Sequence, residues 1–175
     1  MPADTYKTNA ALTADERALV LTRVFDAPRE LVFRAWTDPE HMKQWWGPRG
    51  FTLPYCKIDL RPGGKIHFCM RSAEGFEIWC GGIYREIVAP ERIVSSNYFS
   101  NEAGDVVPPS QYGMPDWPAE LLMTVTFTEQ AGKTTMTVRQ EIVTAGDSFP
   151  KVGVEGAKQG WGESFDRLAE YVESA

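Results

Sequence analysis

"GKIHFCMRSAEGFEIWCGGIYREIV", residues 64–88, alternates apolar with polar side chains and is interrupted once by the turn-forming sequence AEG. Such alternation is typical of strands with one buried face, because successive side chains of a strand point to opposite sides of the sheet. Ile66, Phe68 and Met70 are therefore expected to face inward, and His67 is expected to be a surface residue on the outer face. The stretch predicts two neighbouring antiparallel strands whose faces differ in polarity.

The same pattern extends in both directions from this hairpin. Further strand candidates are residues 18–25, 51–60, 91–99, 121–129 and 133–143, most of them separated by turn-forming sequences that contain Gly or Pro. Met123 and Val125 alternate with threonines and are expected on the inner face. Because most strands follow one another through short turns, the sequence predicts a meandering antiparallel sheet of six to seven strands, seven by this count.

Two short helices are predicted between the first two strands. Asp26 and Pro28 indicate the start of a helix over residues 28–37, because a short acid caps free backbone N–H groups and proline fits the first turn. Asp38 and Pro39 repeat this start signal, and they predict a second helix directly after the first.

The sequence WWGP places Trp45 and Trp46 at the end of that second helix. Gly47 is expected to end the helix in a left-handed conformation, and Pro48 prevents its continuation. Neighbouring residues on a helix point about 100° apart, so one tryptophan is expected in the core and the other at its rim.

A long amphipathic helix is predicted over residues 154–173. Trp161, Phe165, Leu168 and Val172 recur at intervals of four, three and four, which is typical of a helix with one buried face. Three glycines interrupt its first half, at positions 156, 160 and 162. Either close packing against the sheet or space kept for a ligand would account for them.

Length and charge limit the classes of function. The chain has 175 residues, 43% apolar side chains and a formal net charge of −6, which suits one domain with its own core. The negative charge argues against a nucleic-acid partner. No apolar run approaches the ~20 residues that span a bilayer, and the N-terminus lacks a signal peptide, so we expect a soluble, cytoplasmic protein. Residues 1–17 are expected to form a loose arm, and residues 18–175 the single domain.

The sequence lacks the common motifs for catalysis and metal binding. Its three cysteines have no CxxC spacing, it has only two histidines, and no HExxH, GxSxG or GxxxxGKS occurs. Those patterns position a metal, a nucleophile or a phosphate. The prediction is therefore no catalytic residue, no metal and no cofactor, although Glu77 or Glu86 could transfer a proton if burial raised its pKa.

Five stretches in the same order resemble a known family: "RVFDAPRELVFRAWTDPEHMKQWWGP", "IDLRPGGKIHFCMR", "GGIYREIVAPERIV", "VTFTEQAGKTTMTV" and "GWGESFDRLAEYV". They are similar to the START-like helix-grip (SRPBCC) superfamily, and within it to homologues of the activator of the heat-shock protein 90 ATPase. The resemblance implies an α+β fold in which a curved antiparallel sheet wraps the long C-terminal helix. It also implies an internal cavity that often holds an apolar or amphipathic ligand.

The resemblance and the aromatic residues together predict a ligand site between the sheet and the helix. The candidate ligand-binding residues are Trp36, Trp45, Trp46, Phe68, Met70, Ile78, Tyr98, Tyr112, Met114, Trp117, Met123, Val125, Trp161 and Phe165. The segment of residues 101–118 is longer than a hairpin requires, and it is expected to be either a lid over the cavity or a structural flap.

The favoured function is noncatalytic binding of a small hydrophobic or amphipathic molecule. The alternative is an enzyme of the cyclase, dehydratase or hydrolase type that uses polar residues of the cavity. A third function, that of a chaperone ATPase cofactor, rests on the family name, and only a short arm precedes the first strand. The expected partner is therefore a hydrophobic ligand and not a nucleic acid or a membrane, while a homodimer stays open.

Overall fold

The structure, a computed structural model, describes residues 7–174. Its elements are β1 (Asn9–Leu12), β2 (Ala18–Phe25), α1 (Arg29–Thr37), α2 (Pro39–Met42), β3 (Thr52–Ile58), β4 (Lys65–Arg71), β5 (Glu77–Val88), β6 (Arg92–Ser100), β7 (Glu120–Gln130), β8 (Lys133–Ile142) and α3 (Lys151–Glu173), with a 3-10 turn at Pro109–Tyr112. This order of strands and helices is the α+β arrangement predicted from the sequence.

The strands form one antiparallel sheet of eight, in the order β1-β2-β8-β7-β6-β5-β4-β3. The prediction of six to seven strands is therefore wrong. The additional strand, β1, lies in the segment expected to be a loose arm, and its residue Asn9 pairs with Thr22 of β2. The four residues NAAL are too few to show alternation in the sequence. They form a strand because β2 offers a free edge with which they can pair. Residues 1–6 of the predicted arm lie outside the described residues.

One face of the sheet is covered by helices and is called the inner face here. On this face α3 packs against β2 and α1. Val125 of β7 and Phe165 of α3 are both fully buried. The predicted amphipathic helix is thus confirmed, although it begins at Lys151, three residues earlier than expected.

The start of α1 differs from the prediction. Pro28 precedes the first turn and provides no side-chain hydrogen bond to it. Glu129 Oε1, from the hairpin between β7 and β8, accepts the hydrogen bond of the Arg29 backbone N–H at 2.8 Å. Asp26 is exposed and does not cap the helix, whereas its own backbone N–H donates to Glu173 Oε2 at 3.0 Å. A distant carboxylate therefore replaces the local cap that the sequence suggested.

The second helix is shorter than predicted, and the tryptophan pair lies beyond its end. Asp38 caps α2 through its side chain, as expected, but the helix stops at Met42. Gly47 has the predicted left-handed backbone, with φ +99°. Trp45 and Trp46 are both buried, so the expectation that one would lie at the rim is wrong. Outside a regular helix the two side chains are not held about 100° apart, and both enter the core.

Candidate functional site

Four tryptophans fill one end of the inner face: Trp36, Trp45, Trp46 and Trp161, called the tryptophan cluster here. The ring of Trp36 lies 5.0 Å from that of Trp45 and 5.4 Å from that of Trp46, both edge to face. Trp161 stacks on Trp36 at 6.1 Å. Phe68 of β4 adds an edge-to-face contact with Trp46 at 5.3 Å. Because the rings interdigitate, this end of the inner face is a packed core.

Three of the four indole N–H groups of the cluster have partners that orient their rings. Trp45 Nε1 donates to the Ala35 carbonyl oxygen at 2.9 Å, and Trp36 Nε1 donates to the Met136 sulfur at 3.1 Å. Trp161 Nε1 donates to Gln140 Oε1 at 3.3 Å. The last of these bonds joins α3 to β8 across the inner face.

Arg167 of α3 holds the loop that follows the tryptophan pair. Its Nη1 lies 2.8 to 3.3 Å from the backbone carbonyl oxygens of Trp46, Gly47, Pro48 and Phe51. Partial burial lowers the pKa of Arg167, but a guanidinium remains charged at neutral pH. One cation thus binds several carbonyl groups of an irregular segment and ties that segment to α3.

The other end of the inner face is less completely covered. Met70 pairs with Ile78, and Cys80 pairs with Phe99, in adjacent positions of β4, β5 and β6. These four apolar residues share the face of Phe68, yet each keeps part of its surface exposed. They are called the open inner patch here. The patch is continuous with the tryptophan cluster. The Met70 sulfur lies beside Gly47, the residue after Trp46, and would be only 3.5 Å from a Cβ placed there.

The Cys80 thiol is a neutral part of this patch. Burial among apolar atoms raises the pKa of Cys80 to about 12, although part of the residue remains exposed. A nucleophilic cysteine requires a low pKa, so the thiol at physiological pH is an apolar lining group rather than a nucleophile.

Two consecutive glycines of β5 leave room for larger side chains on the two faces of the sheet. A Cβ at Gly81 would lie 3.2 Å from the ring of Tyr98 on the outer face. A Cβ at Gly82 would lie 2.9 Å from Asn97 Oδ1 on the inner face. Tyr98 therefore does not face the predicted cavity, whereas its neighbour Asn97 does.

The segment of residues 101–118 connects β6 to β7 and passes close to the beginning of α3. The Tyr112 ring lies 5.6 Å from that of Phe99, and its hydroxyl donates to the Ser100 carbonyl oxygen at 2.5 Å. At the other end, the Trp117 ring lies 5.3 Å from that of Phe149, just before α3. The segment is thus attached to the open inner patch on one side and to α3 on the other. Met114 lies between these attachments and is partly exposed.

One helical glycine packs tightly beneath this segment. A Cβ at Gly153 would lie 3.2 Å from the Trp117 ring, which explains the absence of a side chain there. Gly156 and Gly162 have no atoms within 4 Å of such a Cβ, so close packing does not explain them. Gly160 would meet Pro48 at 3.5 Å, an ordinary contact.

The two acids considered for proton transfer lie away from the inner face. Glu77 pairs with Arg71 at 2.6 Å, and Glu86 pairs with Arg92 at 3.1 Å; all four side chains are substantially exposed. His67 was expected at the surface but is partly covered by the loop after β6, where its Nε2 lies 3.1 Å from the Asn101 carbonyl oxygen. Within residues 7–174, no group of three or more His, Cys, Asp and Glu side chains could hold a metal ion.

The structure divides the predicted ligand residues into groups. Trp36, Trp45, Trp46, Phe68, Met123, Val125 and Phe165 are buried in the packed core, with Trp161 at its edge. Met70 and Ile78 belong to the open inner patch, and Tyr112, Met114 and Trp117 lie in the segment beside it. Cys80, Asn97 and Phe99 were missed. The alternation that begins at Ile93 would have identified Asn97 and Phe99 as inward-facing, and it would have excluded Tyr98.

An antiparallel sheet packed on a long C-terminal helix, with two short helices inserted between β2 and β3, defines a START-like helix-grip protein. Residues 26–173 match the family described as activator of Hsp90 ATPase homolog 1-like protein, and the chain belongs to this family. No curated protein matches the chain.

Solved structures of bacterial proteins share this architecture. A protein from Chromobacterium violaceum is 28% identical with a TM-score of 0.70, and the match covers 90% of this chain and 97% of that one. A protein from Nitrosomonas europaea is 25% identical with a TM-score of 0.73, covering 91% and 96%. A protein from Arthrobacter aurescens is 20% identical with a TM-score of 0.79, covering 95% and 92%, and supports the fold alone. No helix within residues 7–174 is both long and apolar enough to cross a membrane.

Proposed function

We infer that this protein binds a small apolar or amphipathic molecule between the open inner patch and α3. The observation that carries the proposal is the partial exposure of Met70, Ile78, Cys80 and Phe99, which lie side by side on the face that the helix covers elsewhere. Burying such a surface beneath a ligand is favourable by about 25 cal/mol per Å². The site differs from the one expected, because the tryptophan cluster forms its closed end rather than its interior.

The segment of residues 101–118 supports this proposal as a lid. Tyr112 contacts Phe99 of the patch, and Trp117 contacts the residues that lead into α3. A segment attached on both sides of a ligand site can open by releasing only one attachment. We therefore place the entrance at the Trp117 side, where the ring contact of the partly exposed Trp117 is easier to break than the Tyr112 hydrogen bonds to two strand ends.

The test is a titration with Nile red, a neutral probe whose emission shifts to the blue in apolar surroundings. One probe should bind per chain with a saturable shift. Ile78→Trp, which fills the patch, should abolish binding. Ile83→Trp makes the same exchange on the outer face of the same strand, where Ile83 pairs with Lys65, and should leave binding unchanged.

Two results would contradict this function: a Nile red signal that does not saturate, or equal loss of binding in the two tryptophan variants. Circular dichroism of both variants establishes that they are folded before they are compared. Catalysis and a chaperone partner stay the alternatives that the sequence left open, and cytoplasmic location stays a prediction from the sequence.

A further inference from the structure

One polar side chain lies at the edge of the open inner patch. Asn97 of β6 pairs with Gly82 of β5. The next inward-facing pair along these two strands is Cys80 with Phe99, two members of the patch. Resting on the proposed ligand site, we propose that Asn97 selects ligands that are apolar except for one neutral hydrogen-bond donor, such as an alcohol hydroxyl. Asn97 Oδ1 accepts from that donor while the rest of the ligand covers the patch.

The orientation of the Asn97 amide follows from its partners. Its Nδ2 lies 3.3 Å from the Ser95 carbonyl oxygen and 3.2 Å from Ser95 Oγ. A backbone carbonyl oxygen only accepts, so the atom beside it must be the NH₂ group. Within residues 7–174, this NH₂ group makes all the side-chain hydrogen bonds of Asn97. Asn97 Oδ1 is therefore an available acceptor on a partly exposed residue.

The missing side chain of Gly82 leaves this acceptor uncovered. A Cβ at Gly82 would lie 2.9 Å from Asn97 Oδ1 and only 2.5 Å from the Ser96 carbonyl oxygen. The contact with the backbone oxygen alone excludes a side chain at this position. Asn97 Oδ1 thus lies beside a space that a side chain would fill at other positions of the strand.

The acceptor lies at one end of the patch, within reach of a ligand that covers it. Inward positions of a strand are about 7 Å apart. Along β5, Gly82 is one such step from Cys80 and two steps from Ile78. A ligand whose donor meets Asn97 can therefore extend an apolar body of roughly 14 Å over the patch.

The side chains around this acceptor favour a neutral ligand. Ile66 and Leu121 flank it on the neighbouring strands, and both are buried apolar residues. Burial raises the pKa of Cys80 to about 12 and also raises the pKa of Tyr84, the next inward residue of β5, so both are uncharged at neutral pH. A carboxylate would bring acceptors instead of a donor, and its charge would be desolvated without an opposite charge, which is costly.

The selection arises because a bound ligand removes water from Asn97 Oδ1. A ligand with a donor replaces the hydrogen bond to water, whereas a ligand without one leaves a desolvated acceptor unpaired. This difference corresponds to about tenfold in affinity.

The experiment compares three naphthalene probes by calorimetric or NMR titration: 1-(2-naphthyl)ethanol, 2-acetylnaphthalene and 2-naphthoate. The alcohol and the ketone have the same carbon skeleton and one oxygen each, but only the alcohol has a donor. The wild-type protein should bind the alcohol about tenfold more tightly than the ketone, and it should bind the naphthoate most weakly. Ile78→Trp fills the patch and should abolish binding of the alcohol.

Asn97→Leu is the decisive variant, because leucine has a similar volume and lacks the acceptor. The alcohol and the ketone should bind to it within about twofold of each other. Asn97→Ala removes the acceptor without placing a branched side chain there, and the preference for the alcohol should be lost in the same way. Tyr98→Phe removes a hydroxyl from the next residue, on the outer face, and should leave the preference unchanged. Circular dichroism establishes which variants are folded.

Equal binding of the alcohol and the ketone to the wild type would overturn the proposed selectivity, and this comparison decides by itself if neither Asn97 variant folds. An undiminished preference for the alcohol in a folded Asn97 variant would also overturn it, as would failure of the alcohol to bind a protein that binds Nile red. These results would leave the ligand site itself intact. Absence of binding by every naphthalene probe and by Nile red would overturn the ligand site together with its selectivity.

Discussion

The two ends of the inner face are built from the same strands but are completed in different ways. At one end, the tryptophan cluster brings four large rings from α1, α3 and the loop after α2 against Phe68, and the space is filled. At the other end, Met70, Ile78, Cys80 and Phe99 of the open inner patch each keep part of their surface exposed. The comparison teaches that ring volume from outside the sheet, rather than the sheet itself, decides whether this surface is buried or partly exposed.

The largest expected effect is at the closed end. Trp45→Ala removes a fully buried ring and leaves the Ala35 carbonyl oxygen without its donor, so the free energy of unfolding should fall by about 3 to 5 kcal/mol. Ile78→Ala at the open end should cost less than about 2 kcal/mol, because Ile78 is already partly exposed. Urea denaturation measures both. Equal losses would mean that the two ends do not differ in packing.

The second largest loss of stability is expected where Arg167 connects the loop after Trp46 to α3. Arg167→Met removes the donor for several loop carbonyls, and we expect a loss of about 1.5 to 3 kcal/mol in the free energy of unfolding. Arg49→Met serves as the control, because the ion pair of Arg49 with Glu170 is exposed to solvent and should change stability little. If the two variants proved equally stable, Arg167 would not be holding the loop.

The Cys80 thiol of the open inner patch is expected to make the stability of the fold depend on pH. Its pKa is raised to about 12 in the folded protein, whereas in the unfolded chain it has its ordinary value near 9. The unfolded chain therefore loses this proton first, and stability falls as the pH rises above about 9, by at most about 1.4 kcal/mol per pH unit.

Cys80→Ala tests this dependence, because the variant should lose stability less steeply than the wild type between pH 9 and 11 in urea denaturation. Below pH 8, the difference in the free energy of unfolding between the wild type and Cys80→Ala should not change with pH. Cys56→Ala is the matched variant, since the pKa of Cys56 is also raised to about 12 and its removal should flatten the curve similarly. Parallel curves for wild type and both variants would exclude these thiols as the cause.

The smallest effect on stability should come from the segment of residues 101–118. Trp117→Ala removes one ring contact with Phe149 from a partly exposed residue and should cost only about 1 kcal/mol. Nile red should nevertheless dissociate faster from this variant in stopped-flow measurements. Val152→Ala, at an exposed position in the first turn of α3, should change neither quantity. An unaltered dissociation rate in Trp117→Ala would make the segment a structural flap.

Much of the fold could be predicted because it depends on local periodicity. β2 occupies the predicted residues 18–25, and the strands between Thr52 and Ile142 lie where alternation placed them. The buried stripe of α3 was equally visible in the spacing of Phe165 and Leu168. Such patterns are reliable because one repeating geometry relates each side chain to the next.

The candidate site was predicted less well, because large aromatic residues suggested the cavity. Trp45 and Trp46 fill the core instead, while the residues that line the open patch are smaller. Tyr98 was chosen as an aromatic residue and lies on the outer face. Asn97 was overlooked as a polar one, although its position in β6 places it on the inner face.

The sequence by itself determined the order of the elements from β2 onward, the two faces of the sheet and the left-handed backbone at Gly47, since each depends on neighbouring residues. Only the tertiary structure decided that β1 pairs with β2, that Glu129 caps α1 and that Arg167 holds the loop after Trp46. It also decided which inward-facing residues are covered. These features join residues far apart in the chain, and no local period encodes how much space remains between them once the chain has folded.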